Sequence, residues 1–275
     1  DATDLQSFDK LAETLQENYV VCATYGLEDY AALSACMLSE KLGLPYPTRE
    51  SVEVSTDKYE SYLAWDKANL NTPLTYLISE TAVTRSDLRA LSANLEFPLV
   101  IKPAGSWGSR GVTVIEENQE TTLSDAICVA KSYSNDVLVQ EYIRGTLHNV
   151  DGLFIEEEFF PHSNFDRLSR DNYPNTTGRI IEPSGLSTSV TSKLYNLLEK
   201  ACRAIGIQEG PVTGDFIVRD EIPFIIEVST HLHSIHQSSL RTDGINLPLT
   251  KWFAHCAGYG DDRLGLIDSI PKGFS

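Results

Sequence analysis

Basic residues are scarce in this chain: 22 lysines and arginines stand against 39 aspartates and glutamates, a net charge of −17. So acidic a protein has no general affinity for nucleic acid or for an anionic membrane, since both require basic surface. An anionic ligand such as a nucleotide would need local lysines, arginines or a metal ion. Long apolar runs are missing too. None approaches the ~20 residues of a membrane-spanning helix. The first residues, DATDLQSFDK, hold no basic segment followed by an apolar one, so no signal peptide is read there, and there is no starting Met. The five cysteines (22, 36, 128, 202 and 256) are scattered, odd in number and without a CxxC. That argues against a disulfide framework and for thiols in a reducing cytoplasm. Repeats and low-complexity tracts are absent.

What is present is a mixture of helical and strand periods over 275 residues, enough for one large or two modest domains. Leu5, Phe8, Leu11 and Leu15 share a helical face over 5–17. Tyr19 to Ala23 reads as a short strand. Helices are expected over 27–42, ended by Gly43, over about 56–70 with Ser55 or Thr56 as cap, and over 86–95. Further helices are expected over 120–134, 186–205 and 247–257. Strands are expected over 74–78, 99–101, 112–115, 136–142, 149–160 (one strand or two paired ones), 211–219 and 223–229. Residues 161–186, polar and rich in Pro, Gly, Asn and Ser, read as a long loop, a feature that is usually functional. The mixture, with antiparallel hairpins in the second half, indicates the α+β class.

Three stretches carry chemistry. FPLVIKPAGSWGSRGVTVI (97–115) is strand, loop, strand. Lys102 ends the first strand, and the loop holds Gly105, Ser106, Trp107, Gly108, Ser109, Arg110 and Gly111. Such a loop can fold over phosphates, because glycines let the backbone approach and hydroxyls and N–H groups donate. An ordinary hairpin with a long turn is the bland alternative. In the hairpin from 211 to 229, Asp215 and Glu227 are acids inside apolar strands. On paired strands they suit a hard divalent cation bound jointly with phosphates, or else simply mark the open face of a half-exposed sheet. VLVQEYIRG (137–145) is an apolar strand with a sharp turn, an edge on which an adenine can pair.

The order of these stretches resembles the ATP-grasp superfamily, of the carboxylate–amine ligase type, from about Val20 to Ala257. Asp57-Lys58 matches the family's opening Asp-Lys, and Asn69 to Pro73 loosely matches its next entry. Residues 98–111 match its Pro-Leu-Val-Ile-Lys-Pro strand and loop, 137–147 its hinge, Ile205 to Asp215 its penultimate motif, and Ile226 to His231 its last. The resemblance implies two α+β subdomains clasping a nucleotide, residues 57–143 with the lid and 144–275 with the metal site, behind a partial N-terminal α/β domain over 1–56. It implies ATP with one or two Mg²⁺ ions. Lys58 and Lys102 would meet phosphates, with Ser106, Gly108, Ser109 and Gly111 in a lid over them. Gln140, Glu141 and Ile143 would line the adenine, and Asp215, Glu227 and Ser229 would hold the metal. The usual chemistry is attack of a carboxylate on the γ-phosphate, giving an acylphosphate that an amine captures. The partners implied are ATP and small-molecule carboxylates and amines, with no nucleic acid and no membrane; a homodimer is left open.

Departures from the pattern fall at both ends of the site. The hinge acid expected on the ribose is Leu147, with His148 as a neighbouring substitute. Gln140 replaces an acid. Ser229 stands for the asparagine of the metal site and His231 for an arginine that usually stabilises the transferring phosphoryl group. Arg179, Arg170 or Arg241 would have to supply that charge. His231, His233 and His236 form H-x-H-x-x-H, read either as a transition-metal site, as a lining of the acceptor pocket, or as surface and packing. Trp107 is read as a hydrophobic latch or a stacking residue. No Ser–His or Cys–His nucleophile is evident. Besides a ligase, the pattern admits an ATP-binding protein with lost or diverted catalysis, or a small-molecule kinase on the same fold.

Overall fold

The structure, a computed structural model, describes residues 7–79, 96–116, 120–170, 173–233 and 247–258. Two antiparallel sheets organise it. The first has the order β1-β4-β2-β3, from β1 (Thr75–Ile78), β2 (Leu99–Pro103), β3 (Thr113–Ile115) and β4 (Val137–Glu141). The second has the order β7-β6-β5-β8-β9, from β5 (Thr146–Ile155), β6 (Glu158–Arg170), β7 (Tyr173–Ile181), β8 (Gly210–Arg219) and β9 (Ile222–Ser229). The α+β class and the two-part architecture follow from this.

Each sheet buries one face under a helix. On the first, α5 (Glu120–Lys131) lays Leu123, Ile127 and Ala130 over Leu99, Ile101, Val137 and Val139. On the second, α6 (Thr188–Ala204) lays Leu194, Leu198 and Ala201 over Val150, Phe154, Phe216 and Val228. Ser187 starts α6 by accepting the Val190 N–H. A fully buried leucine such as Leu194 contributes about 1.5–3 kcal/mol. Successive strand residues face opposite sides, so Asn149 on β5 lies on the face that α6 leaves open.

The N-terminal segment is helical: α1 (Ser7–Asn18), α2 (Asp29–Leu42, closed by left-handed Gly43), α3 (Arg49–Thr56) and α4 (Lys58–Lys67). Trp65 of α4 is buried in the α6 core and donates from its indole to Ala201 O at 3.1 Å.

Three local expectations are corrected. Tyr19 to Ala23 forms no strand; Val20 is 94% exposed, and a lone apolar run without a partner ladder has nothing to pair with. The helix expected over about 56–70 is α4, and its cap is Asp57 rather than Ser55 or Thr56: the Asp57 carboxylate accepts from Tyr59 and Glu60 N–H, while α3, which ends at Thr56, is not among the expected helices. The polar stretch 161–186 is no loop for most of its length: β6 and β7 occupy it. Its polar residues fit an edge hairpin with a solvated side, which reads as loop by composition alone. The helix expected over 86–95 lies outside the described residues.

Candidate functional site

Between the two sheets lies a cavity of about 620 Å³. Lys58, Lys102, the loop 106–110, the 140–143 hinge, Asp215 and Glu227 all line it, so the three stretches singled out in the sequence converge.

Lys102 reaches the cavity because β2 alternates: Leu99 and Ile101 go into the α5 core, and the lysine takes the other face. It is 6% exposed. Burial, then the neighbouring Lys58 charge, depress its pKa to about 8, with Glu227 and Asp215 pulling the other way. Lys58, the first residue of α4, donates to Glu227 Oε1 at 2.8 Å and to Ser106 O at 2.5 Å. Burial would lower its pKa; Glu227 and Asp29 outweigh this and raise it. Both lysines therefore present positive charge at neutral pH.

The lid loop is held from two sides. Lys58 takes the Ser106 carbonyl, and Trp107 lies 6.2 Å from the Tyr30 ring of α2 with the Arg110 guanidinium over it at 4.8 Å. Ser106, Gly108 and Ser109 line the cavity, the last two with positive φ. Gly111 is not among the lining residues. Its φ is +75°, and a Cβ there would meet the Tyr133 ring at 2.7 Å, so its glycine is demanded by packing.

At the hinge, Gln140 is buried and donates to Thr75 Oγ1 at 2.7 Å. Glu141 and Ile143 line the cavity beside Val100, Val114, Ile217 and Ile226, the apolar walls a planar ring needs. His148 and Asp166, opposite one another on β5 and β6, line it too, with His148 Nδ1 2.9 Å from Asp166 Oδ1 and Nε2 2.7 Å from Thr146 Oγ1. Burial pushes the His148 pKa below its ordinary value despite Asp166.

Asp215 and Glu227 are direct register partners across β8 and β9. A bulge follows Asp215, leaving Ile226 without a partner, and this lets adjacent Ile226 and Glu227 both line the cavity. Asn149 donates to Asp215 Oδ1, and Arg167 of β6 pairs with Oδ2 at 2.6 Å. Asn149 Oδ1 is buried without a hydrogen-bond partner. Asn149 is not among the residues that line the cavity, and its amide nitrogen, not its oxygen, faces Asp215; the two carboxylates on the cavity wall are the oxygen donors, which fit a hard divalent cation. Among the described residues no group of three or more His, Cys, Asp or Glu could hold a metal alone. The cation would need phosphate oxygens to complete its shell.

Ser229 and His231 do not line this cavity. Both turn to Asp29 at the start of α2: His231 Nε2 lies 3.0 Å from Asp29 Oδ1, and Ser229 also bonds that carboxylate. His231 Nδ1 lies 2.7 Å from Leu232 O. Carbonyl and carboxylate oxygens only accept, so both ring nitrogens carry protons. The His231 pKa is raised accordingly: burial opposes this and Asp29 prevails. For Asp29, burial is likewise outweighed, by His231, Ser229 and Lys58, and its pKa falls. His233 stacks edge-on against Phe165 at 4.8 Å and gives its backbone N–H to Asp151. His236 and Arg241 lie outside the described residues. Arg179 is exposed on edge strand β7 and is not among the lining residues, and the Arg170 side chain is not described.

The sequence pattern of the ATP-grasp domain matches residues 55–233. The chain belongs to the ATP-grasp family. A D-alanine–D-alanine ligase of Gloeobacter violaceus is 30% identical to this ATP-grasp chain over 200 residues, covering 70% of the chain and 65% of the relative. One from Buchnera aphidicola subsp. Schizaphis graminum is 27% identical over 212 residues, covering 72% and 67%. An L-amino acid ligase from Bacillus licheniformis has the same fold: its TM-score is 0.74 at 20% identity, over 91% of this chain and 60% of that one. The chain thus spans about two-thirds of these relatives.

Sequence reading missed Asn149, Arg167 and Asp29. Asn149 had no clear signal, since it shares the polar first half of β5 with His148 and Asp151. Arg167 was hidden by reading β6 as loop. Asp29 is 202 positions from His231, and no local pattern joins them.

Proposed function

We propose that the chain is an ATP-dependent ligase joining a carboxylate to an amine through an acylphosphate. The observation that carries this reading is the convergence of Lys58, Lys102, the lid loop and the Asp215–Glu227 pair on one cavity walled by the hinge. Asp215 and Glu227 would hold Mg²⁺, which when bound would supply charge neutralisation to the phosphates. The residues of the chain do the rest. Lys58 and Lys102 bind phosphate oxygens, the 106–110 loop covers them and excludes water, and the apolar walls with Glu141 hold the base. Phosphoryl transfer needs positioning and charge neutralisation and no covalent group from the protein. The substrates proposed are an amino acid or small acid and an amine. Five free cysteines suit a reducing cytoplasm.

A second reading, ATP binding with diverted catalysis, is favoured by one observation: Ser229 and His231 are engaged with Asp29 instead of facing the cavity. ADP release measured across pairs of amino acids separates the two. Release that requires both a carboxylate and an amine is expected. Tight Mg-ATP binding without release for any pair would establish the second reading and sink the first.

A further inference from the structure

The acids that would ligate a divalent cation are already matched with basic side chains. Glu227 Oε1 takes Lys58, and Asp215 Oδ2 takes Arg167 at 2.6 Å while Asn149 donates to its Oδ1. The Arg167–Asp215 pair is half shielded, its side chains 18% and 32% exposed, so water screens it less than a surface pair. Arg167 also reaches over an intervening strand: β6 and β8 both pair with β5, and backbone ladders hold all three without it. A side chain that spans a strand to seize a cation-binding oxygen is not needed for register.

A divalent cation on Asp215 and a guanidinium on the same carboxylate repel one another. Arg167 lines the cavity that phosphates would occupy, and its fork of N–H donors matches phosphate oxygens as well as it matches a carboxylate. We propose that Arg167 is the resident counter-cation of Asp215 and yields that oxygen to a divalent cation when nucleotide phosphates take its guanidinium. Cation and nucleotide then bind as a pair, and by linkage each raises the affinity of the other by one common factor. The inference rests on the nucleotide reading of the cleft and adds to it a residue and an order of events.

The test uses the 275-residue chain. Mn²⁺ alone is titrated by electron paramagnetic resonance, and ADP alone, in EDTA, by calorimetry. In Arg167→Gln the two affinities move oppositely: Mn²⁺ alone binds about tenfold tighter, and ADP alone about tenfold weaker. Arg167→Lys keeps a charge and shows the same directions with smaller shifts. A purely structural tie predicts a lower melting temperature with Mn²⁺ affinity unmoved; that result, in a protein that still binds ADP, overturns the role of Arg167 and leaves the nucleotide reading standing. Absence of ADP binding by the wild type with or without Mn²⁺ overturns the nucleotide reading and this proposal with it.

Discussion

Two buried histidines each face an aspartate, His148 at the hinge end of the cavity and His231 just past β9, outside the cavity lining, and their pKa values are shifted in opposite directions. At the hinge end, His148 sits between Asp166 and the Thr146 hydroxyl. A hydroxyl can donate as well as accept, so a neutral ring satisfies both partners. Asp166 is itself served by Ser184 and by the Gly185 N–H, which weakens its claim on the ring. Burial then decides, and the His148 pKa falls. Past β9, His231 faces a carboxylate and a carbonyl, and only an imidazolium serves both. The same residue type at similar depth is driven one way by desolvation and the other by its acceptors. The wider lesson concerns the family pattern. At Lys102 and most of the lid, where the chain keeps it, residues meet the cavity, and so do the hinge departures Gln140 and Leu147; the departures at Ser229 and His231 instead form a separate buried network with Asp29.

The largest expected effect separates the cavity from the His231 network. Lys102→Ala removes a buried cation from the phosphate position and should weaken ADP binding by about 100-fold or more, whereas His231→Gln should change it by less than about threefold. Calorimetry of both variants checks this. Equal losses would mean that His231 reaches the nucleotide and that the two regions form one site.

The pH dependence of stability sharpens the contrast. His231 has a folded pKa raised above its ordinary 6.5. Its contribution is therefore complete below pH 6.5 and is lost as pH rises through the folded value. His148 has a folded pKa lowered from 6.5, so stability is lost as pH falls below 6.5, where the unfolded chain takes up a proton that the folded one refuses. Asp29, with its pKa lowered from 3.8, adds a loss only at more acid pH. Urea midpoints followed from about pH 5 to about pH 9 should thus lose their alkaline decline in His231→Gln and their acid decline in His148→Gln. The same slope in both variants would show the rings to be alike.

The smallest effect tests the tie between the lid and the N-terminal segment. Trp107→Ala removes an aromatic contact with Tyr30, worth about 0.5–1.5 kcal/mol, on an exposed loop. Global stability should hardly move, while ADP dissociation, followed by stopped-flow, should quicken severalfold. An unchanged off-rate would reduce Trp107 to a surface residue.

Local pattern was enough to specify the strand–loop–strand at 97–115, the acid-bearing hairpin of β8 and β9, and the helices that cover the sheets. In these segments period and turn chemistry agree over short spans, and the order of motifs along the chain pointed to the ATP-grasp family. It failed where the deciding partner was remote or the environment one-sided. Tyr19 to Ala23 has strand composition and no neighbouring strand, and β6 and β7 carry the polar residues of an edge hairpin and pass for loop. Only the tertiary structure brought Arg167 onto Asp215, Asn149 beneath it, and Asp29 between Lys58 and His231. Charge states and ligand sets depend on which acceptors lie within about 3 Å, and those distances are set by packing between segments that the sequence keeps far apart.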